Sequence, residues 1–174
     1  MITFKQLWDN HPTQTGDDNP CNKNGNPLFP NQCSIRMGTC LARCGIDTSK
    51  IPGVTHCWYH DKSDGHVIRA EELAKGLTRY TIVGIQKIQL VAPNEFEKVL
   101  ASKTGIIFFK DYWRRENNGK KEAFRNRSGD HIDLWNGSRL TDWTSWFRIQ
   151  WRISWEGYWS DYAQSKSIWF WQVG

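Results

Sequence analysis

Gln32-Cys33-Ser34-Ile35-Arg36-Met37-Gly38-Thr39-Cys40-Leu41-Ala42-Arg43-Cys44-Gly45 is the stretch from which the rest of the chain is best read. Cys33, Met37, Cys40, Leu41 and Cys44 recur at i, i+4, i+7, i+8 and i+11, which is one apolar stripe of a buried helix. Gly45 is a suitable stop for it. The helix opens at Cys33, with Asn31 just ahead as a residue able to cap it. A thiol at that end is favoured as thiolate by the partial positive charge of the helix N-terminus. The cysteines two and three turns further in, Cys40 and Cys44, are expected to be buried, protonated and inert. Cys33 is therefore the candidate nucleophile. A cysteine opening a helix also serves as plain core, so the choice turns on whether a base can reach it.

The flanking segments set the architecture. Thr3 caps a short helix with Phe4, Leu7, Trp8 and His11 along one face. Residues 12–32 and 52–66 carry loop chemistry, rich in Pro, Asn, Gly and Asp. Ala70 to Leu77 reads as a helix of two turns and Thr81 to Leu90 as a strand. Pro93, Phe96, Val99 and Leu100 suggest another helix, ending around Gly105. Ile106-Ile107-Phe108-Phe109 is a buried strand, and Trp113 to Arg127 is a polar surface loop. Phe147, Ile149, Trp151, Ile153 and Trp155 alternate as in a strand, although Trp143, Trp146 and Phe147 also suit a helix start. Ser160 can cap a helical turn before a last strand, Ser167 to Val173. Helices come first and strands later, which predicts an α+β fold with N-terminal helices packed on an antiparallel sheet. No repeat or linker divides it, so one catalytic domain is expected over residues 1–174.

A base is found in His131-Ile132-Asp133-Leu134-Trp135-Asn136-Gly137-Ser138-Arg139-Leu140-Thr141-Asp142, a hairpin by its Asn-Gly turn. With Asn136 and Gly137 as the two turn residues, His131 faces Asp142. Facing Cβ atoms lie about 4.5–5.5 Å apart, close enough for a carboxylate to hold an imidazole. Asp133 shares the face but lies roughly 6.6 Å along the strand, so Asp142 is the better orienting acid. A surface His–Asp pair is the alternative reading. A helix-opening Cys followed by a strand His beside an acid is the papain order: the thiolate attacks a carbonyl, the His protonates the leaving amine, and the acid fixes its tautomer. The Cys33 backbone N–H and one further donor would hold the oxyanion.

Asn31-Gln32-Cys33-Ser34-Ile35-Arg36-Met37-Gly38 together with Gly129-Asp130-His131-Ile132-Asp133-Leu134-Trp135-Asn136-Gly137-Ser138-Arg139-Leu140 closely resembles the fourth family of type VI secretion amidase effectors. Ser160-Asp161-Tyr162 and Ser167-Ile168-Trp169-Phe170-Trp171 look like that family as well. The resemblance spans nearly the whole chain. It implies an NlpC-like, papain-type fold and a DL-endopeptidase of peptidoglycan that cuts the γ-D-glutamyl–meso-diaminopimelate bond. The motif residues fall on Cys33, His131 and Asp142, the acid already chosen from the hairpin. It further implies synthesis in the producer's cytoplasm, delivery by the type VI machinery into a rival's periplasm, and a cognate immunity protein. Cys40, Cys44 and Cys57 are not part of the family's chemistry.

Composition narrows the alternatives. The 174 residues include 23 Lys and Arg against 18 Asp and Glu, a net charge of +5 with no basic block, so no nucleic-acid partner is indicated. The charge would suit an anionic partner such as peptidoglycan. No apolar run is long enough to cross a membrane, and no signal peptide opens the chain. Eleven tryptophans are expected mostly in the core, with some available to line a groove. An odd set of five cysteines leaves at least one thiol unpaired. Cys40, Cys44, Cys57 and His60 have loosely zinc-like spacing, but a disulfide from Cys40 or Cys44 to Cys57 is favoured in an oxidising compartment, and neither metal nor cofactor is expected. The rival functions are a non-catalytic, Trp-rich cell-wall-binding module and a papain-like protease acting on proteins.

Overall fold

The computed structural model describes residues 1–113, 116–117, 120–121, 129–141 and 165–174. The 147–155 alternation, the cap at Ser160 and Asp142 all lie outside them.

Thr3 caps helix α1 (Phe4–Asn10), as its sequence predicts, and does so through a reciprocal capping box with Gln6. The long loop that follows contains a 3₁₀ turn at Pro12–Thr15 and a minimal hairpin, β1 (Asn22–Lys23) with β2 (Asn26–Pro27). Helix α2 (Cys33–Arg43) begins at the nucleophile candidate and buries Cys33, Met37, Cys40 and Leu41. Its N-cap position is Gln32, which makes no side-chain cap, while Asn31 Oδ1 accepts the Cys33 N–H at 3.1 Å. Helix α3 (Ala70–Arg79) matches the expected segment and runs two residues longer.

The strand expected over Thr81–Leu90 is confined to β3 (Gln89–Val91). The reason lies at Gly84, whose φ of 108° breaks the extended run. A Cβ there would meet the Ile2 carbonyl oxygen at 2.1 Å, because the N-terminal segment crosses at this point and Ile2 N–H pairs with the Val83 carbonyl instead of a sheet neighbour. A single-turn helix α4 (Phe96–Val99) precedes β4 (Gly105–Trp113). The segment expected as a loop beyond Trp113 carries a small pair, β5 (Glu116–Asn117) with β6 (Lys120–Lys121). Strands β7 (Gly129–Trp135) and β8 (Ser167–Gln172) complete a four-stranded sheet of order β3-β8-β4-β7, antiparallel at every pairing.

Both faces of this sheet are covered. Ile106 and Phe108 of β4 join Ile132, Leu134 and Trp171 against Leu7, Met37, Leu41 and Leu73 of the helices. Ile107 and Phe109, alternating to the other side, pack with Phe96, Leu100, Trp135 and Phe170. The architecture is α+β with N-terminal helices on an antiparallel sheet, the papain- and NlpC-like arrangement. Of the described tryptophans, Trp135 and Trp171 are buried to 1% exposure, whereas Trp58 stands out at 75%.

One close approach fixes the loop that runs beneath α2. A Cβ on Gly38 would lie 2.1 Å from the Gly65 carbonyl oxygen, and one on Gly65 would lie 2.4 Å from that of Gly38. Neither position tolerates a side chain, so the 57–66 loop seats directly on the helix.

Candidate active site

Cys33 and His131 come from opposite layers of the fold and meet where α2 abuts β7. Cys33 sits 5% exposed at the helix start, and its thiol is hydrogen-bonded to the His131 side chain and to the backbone N–H of Ile132. Burial opposes its ionisation. The His131 hydrogen bond and charge, the Ile132 N–H and Arg36 outweigh burial and hold the thiol below its ordinary range. Cys40, about two turns further along the same helix, is pushed well above that range by burial and bonds to the Leu7 carbonyl at 3.1 Å. The two thiols of one helix are thus set apart by environment alone.

His131 rests on Phe109, ring centroids 6.4 Å apart. Its Nε2 lies 3.6 Å from Asp133 Oδ2. Asp133 is 4% exposed, and its Oδ1 accepts from Thr141 Oγ1 at 2.5 Å and from the Leu134 N–H at 2.7 Å. Burial favours its protonated form, but His131, His11 and Thr141 prevail and bring the carboxyl down to about 2. Two strand positions of like parity share a face; that signal was in the sequence, and side-chain reach closes the backbone separation that argued against the pair.

The turn also departs from expectation. Trp135 faces Leu140, and Asn136 N–H bonds to the Arg139 carbonyl, so Gly137 and Ser138 are the central residues. The Asn136 side chain accepts the Ser138 and Arg139 N–H groups and moves the turn one residue on. The turn from which the register to Asp142 was counted therefore lies one residue further on than the Asn-Gly reading placed it. Asp142 itself is not among the described residues.

His11 was read as a helix-face residue and proves to belong to this cluster. Its Nε2 lies 3.6 Å from Asp133 Oδ1, on the side away from His131. Burial pushes His11 down to about 4; Asp133 opposes this, and Arg36, His131 and Arg43 reinforce it. His11 Nδ1 accepts the Thr13 N–H, so the neutral ring carries its proton on Nε2 and turns an N–H, not a cation, toward the carboxylate. Gln14, three residues on, donates to the Thr141 carbonyl at 2.8 Å. No local pattern in the sequence marks His11, since its partner lies across the whole fold.

These two groups make stability fall in acid, in two windows. Unfolded His11 titrates at its ordinary 6.5 and folded His11 near 4, so the unfolded state binds the extra proton between them and stability drops as pH falls through that interval. The loss levels off below pH 4 at roughly 3 kcal/mol. Asp133 adds a second loss from its ordinary 3.8 down to about 2. Thermal melts from pH 7 to 4 are expected to show a falling Tm that His11→Gln flattens. A wild-type Tm constant over that interval would contradict the assignment.

A cavity of about 510 Å³ opens beside Cys33, lined by Asn31, Ile68, Arg69, Glu71, Lys75 and Asp130 among others. Its wall mixes cations and carboxylates, which suits a substrate bearing both. The remaining cysteines are not where they were expected. Cys44 donates to the Gln6 carbonyl at 3.5 Å, beside Cys40, while Cys57 lies against Cys21. All five are free thiols, so neither the disulfide to Cys57 nor the Cys40, Cys44, Cys57 and His60 zinc set is formed.

The family model described as type VI secretion system (T6SS), amidase effector protein 4, matches residues 29–171. Among solved structures, the crystal structure of the type VI effector Tae4 from Enterobacter cloacae is similar, with 17% identity and a TM-score of 0.59 over 100% of this chain and 98% of that one. A search of curated proteins gave no match.

Proposed function

Because the chain belongs to the type VI secretion amidase effector 4 family, whose members are antibacterial toxins acting on peptidoglycan, we propose that it hydrolyses the γ-D-glutamyl–meso-diaminopimelate bond of stem peptides as a cysteine amidase. The observation that supports this reading is the Cys33 thiol, hydrogen-bonded to His131, on the wall of an open cavity. The Cys33 thiolate attacks the amide carbon and the carbonyl oxygen becomes an oxyanion. His131, as imidazolium, gives its proton to the nitrogen as the C–N bond breaks, releasing the diaminopimelate amine and leaving a thioester on Cys33. Water then loses a proton to His131, attacks the thioester and frees the D-glutamyl carboxylate.

For the Cys33 N–H to join an oxyanion hole, Asn31 Oδ1 has to turn away from it. Asp142 carries the position of the family's acid, and Asp133 is the carboxylate nearest His131 among the described residues. Asp142→Asn should slow turnover by about 10²–10⁴-fold if that acid fixes the imidazole. Asp133→Asn should chiefly lower Tm, since it weakens bonds to Leu134, Thr141 and His11 together. A larger rate loss for Asp133→Asn at unchanged Tm would give the orienting role to Asp133.

We assign the whole of residues 1–174 to one catalytic domain, made in the producer's cytoplasm and delivered by the type VI machinery to the rival periplasm. A cognate immunity protein covering the Cys33 cavity would protect the producer. Digestion of purified sacculi followed by mass analysis tests the bond. A diaminopimelate–D-alanine product with intact glycan supports it. Reducing sugar ends, which require flanking carboxylates at a sugar site, would overturn it.

A further inference from the structure

We propose that Cys21, Cys57 and His60 hold a zinc ion that clips the loop ahead of the nucleophile to the loop beneath α2. The three donor atoms form a nearly equilateral triangle: Cys21 Sγ to Cys57 Sγ is 3.4 Å, and His60 Nδ1 stands 3.5 Å from the first sulfur and 3.6 Å from the second. Tetrahedral zinc with bonds of about 2.3 Å to sulfur and 2.0 Å to nitrogen has ligand–ligand edges of roughly 3.5–3.8 Å. A nitrogen equidistant from both sulfurs is what a shared ion requires and what a disulfide does not. Two thiolates and an imidazole are a soft donor set that selects zinc over the hard divalent cations. The donor cluster proper is Cys21, Cys57 and His60; the neighbouring His66 ring packs 4.4 Å from that of His60, and its buried Nδ1 has no hydrogen-bond partner among the described residues, so a ring rotation could bring it to the fourth position.

The site is built into rigid surroundings. Cys21 and Cys57 are buried at 0% and 4% exposure and pack on Ile35 of α2. The Gly38–Gly65 contact seats the Cys57–His66 loop on that helix. On the other side, Gln32 accepts the Cys21 N–H at 2.9 Å and donates to the Cys21 carbonyl at 2.8 Å. Gln32 is the residue before Cys33, so the ion would steady the nucleophile's backbone without touching reacting atoms. Binding releases two thiol protons and uses neutral His60. The proposal stands whether or not Cys33 is the nucleophile.

The full chain, purified from the cytoplasm without chelator, should contain about one zinc per molecule. Replacing zinc by Co²⁺ should give a thiolate-to-cobalt charge-transfer band with the visible bands of a tetrahedral site. Cys21→Ser and His60→Ala should each weaken zinc binding by at least about tenfold, whereas Cys40→Ser should leave it unchanged. Wild-type protein without zinc and without a cobalt spectrum, or with a Cys21–Cys57 disulfide as isolated, would overturn the proposal. So would binding lost equally in Cys40→Ser.

Discussion

Cys33→Ala is expected to yield a folded protein that releases nothing from sacculi and leaves cells intact when exported to their periplasm. Removing a covalent nucleophile costs on the order of 10⁴–10⁶-fold in turnover, since no other group forms the acyl intermediate. The side chain loses one sulfur at the edge of the core, a cavity penalty of about 1 kcal/mol, so Tm should change by only a few degrees. Wild type given the same export signal should lyse its host, while cytoplasmic expression should be harmless because the substrate is absent there. Lysis that persists in Cys33→Ala at equal expression would remove Cys33 from the mechanism.

His131→Ala is expected to lose comparable activity and, in addition, to change the chemistry of another residue. The hydrogen bond and charge of His131 are the largest influences lowering the Cys33 thiol against its burial. Without them burial prevails, and the thiol should titrate back toward or above its ordinary 9.0. Alkylation of Cys33 by iodoacetamide at pH 6–7, read by peptide mapping, should therefore fall at least about tenfold in the variant. In wild type the deeply buried Cys40, pushed well above the ordinary range, should label last. An unchanged alkylation profile in His131→Ala would mean that the imidazole does not activate this thiol.

Where local periodicity controlled the structure, the sequence was enough. The stripe from Cys33 to Cys44 and the capping pair Thr3 and Gln6 are each dictated within a few residues, and both helices are found there. Where a distant segment intervenes, local pattern misleads. The apolar run Ile82 to Ile88 looks like a strand, but the N-terminus crosses at Gly84 and takes the Val83 carbonyl. At the hairpin, the Asn136 side chain caps two backbone N–H groups and moves the turn, an effect that turn statistics on Asn-Gly do not contain. The placement of Cys33 at a helix start and of His131 on a strand was legible because both are local properties. The partnership of Asp133 with His11, and of Cys21 with Cys57, depends on loops whose direction no periodicity sets.

The proposed nucleophile Cys33 and its proposed base His131 lie about a hundred residues apart, on the helix layer and on a strand whose sheet neighbour β4 must pair with β8 at the far end of the chain. At ribosomal speeds of 5–20 residues per second, Cys33 emerges roughly 5–20 s before His131. Throughout that interval the thiol lacks His131, the group that does most to lower it against its burial in the folded protein. Non-local strand pairing is also slow compared with helix formation. The nascent toxin is therefore chemically silent until translation is nearly finished, a delay written into the order of its secondary structure.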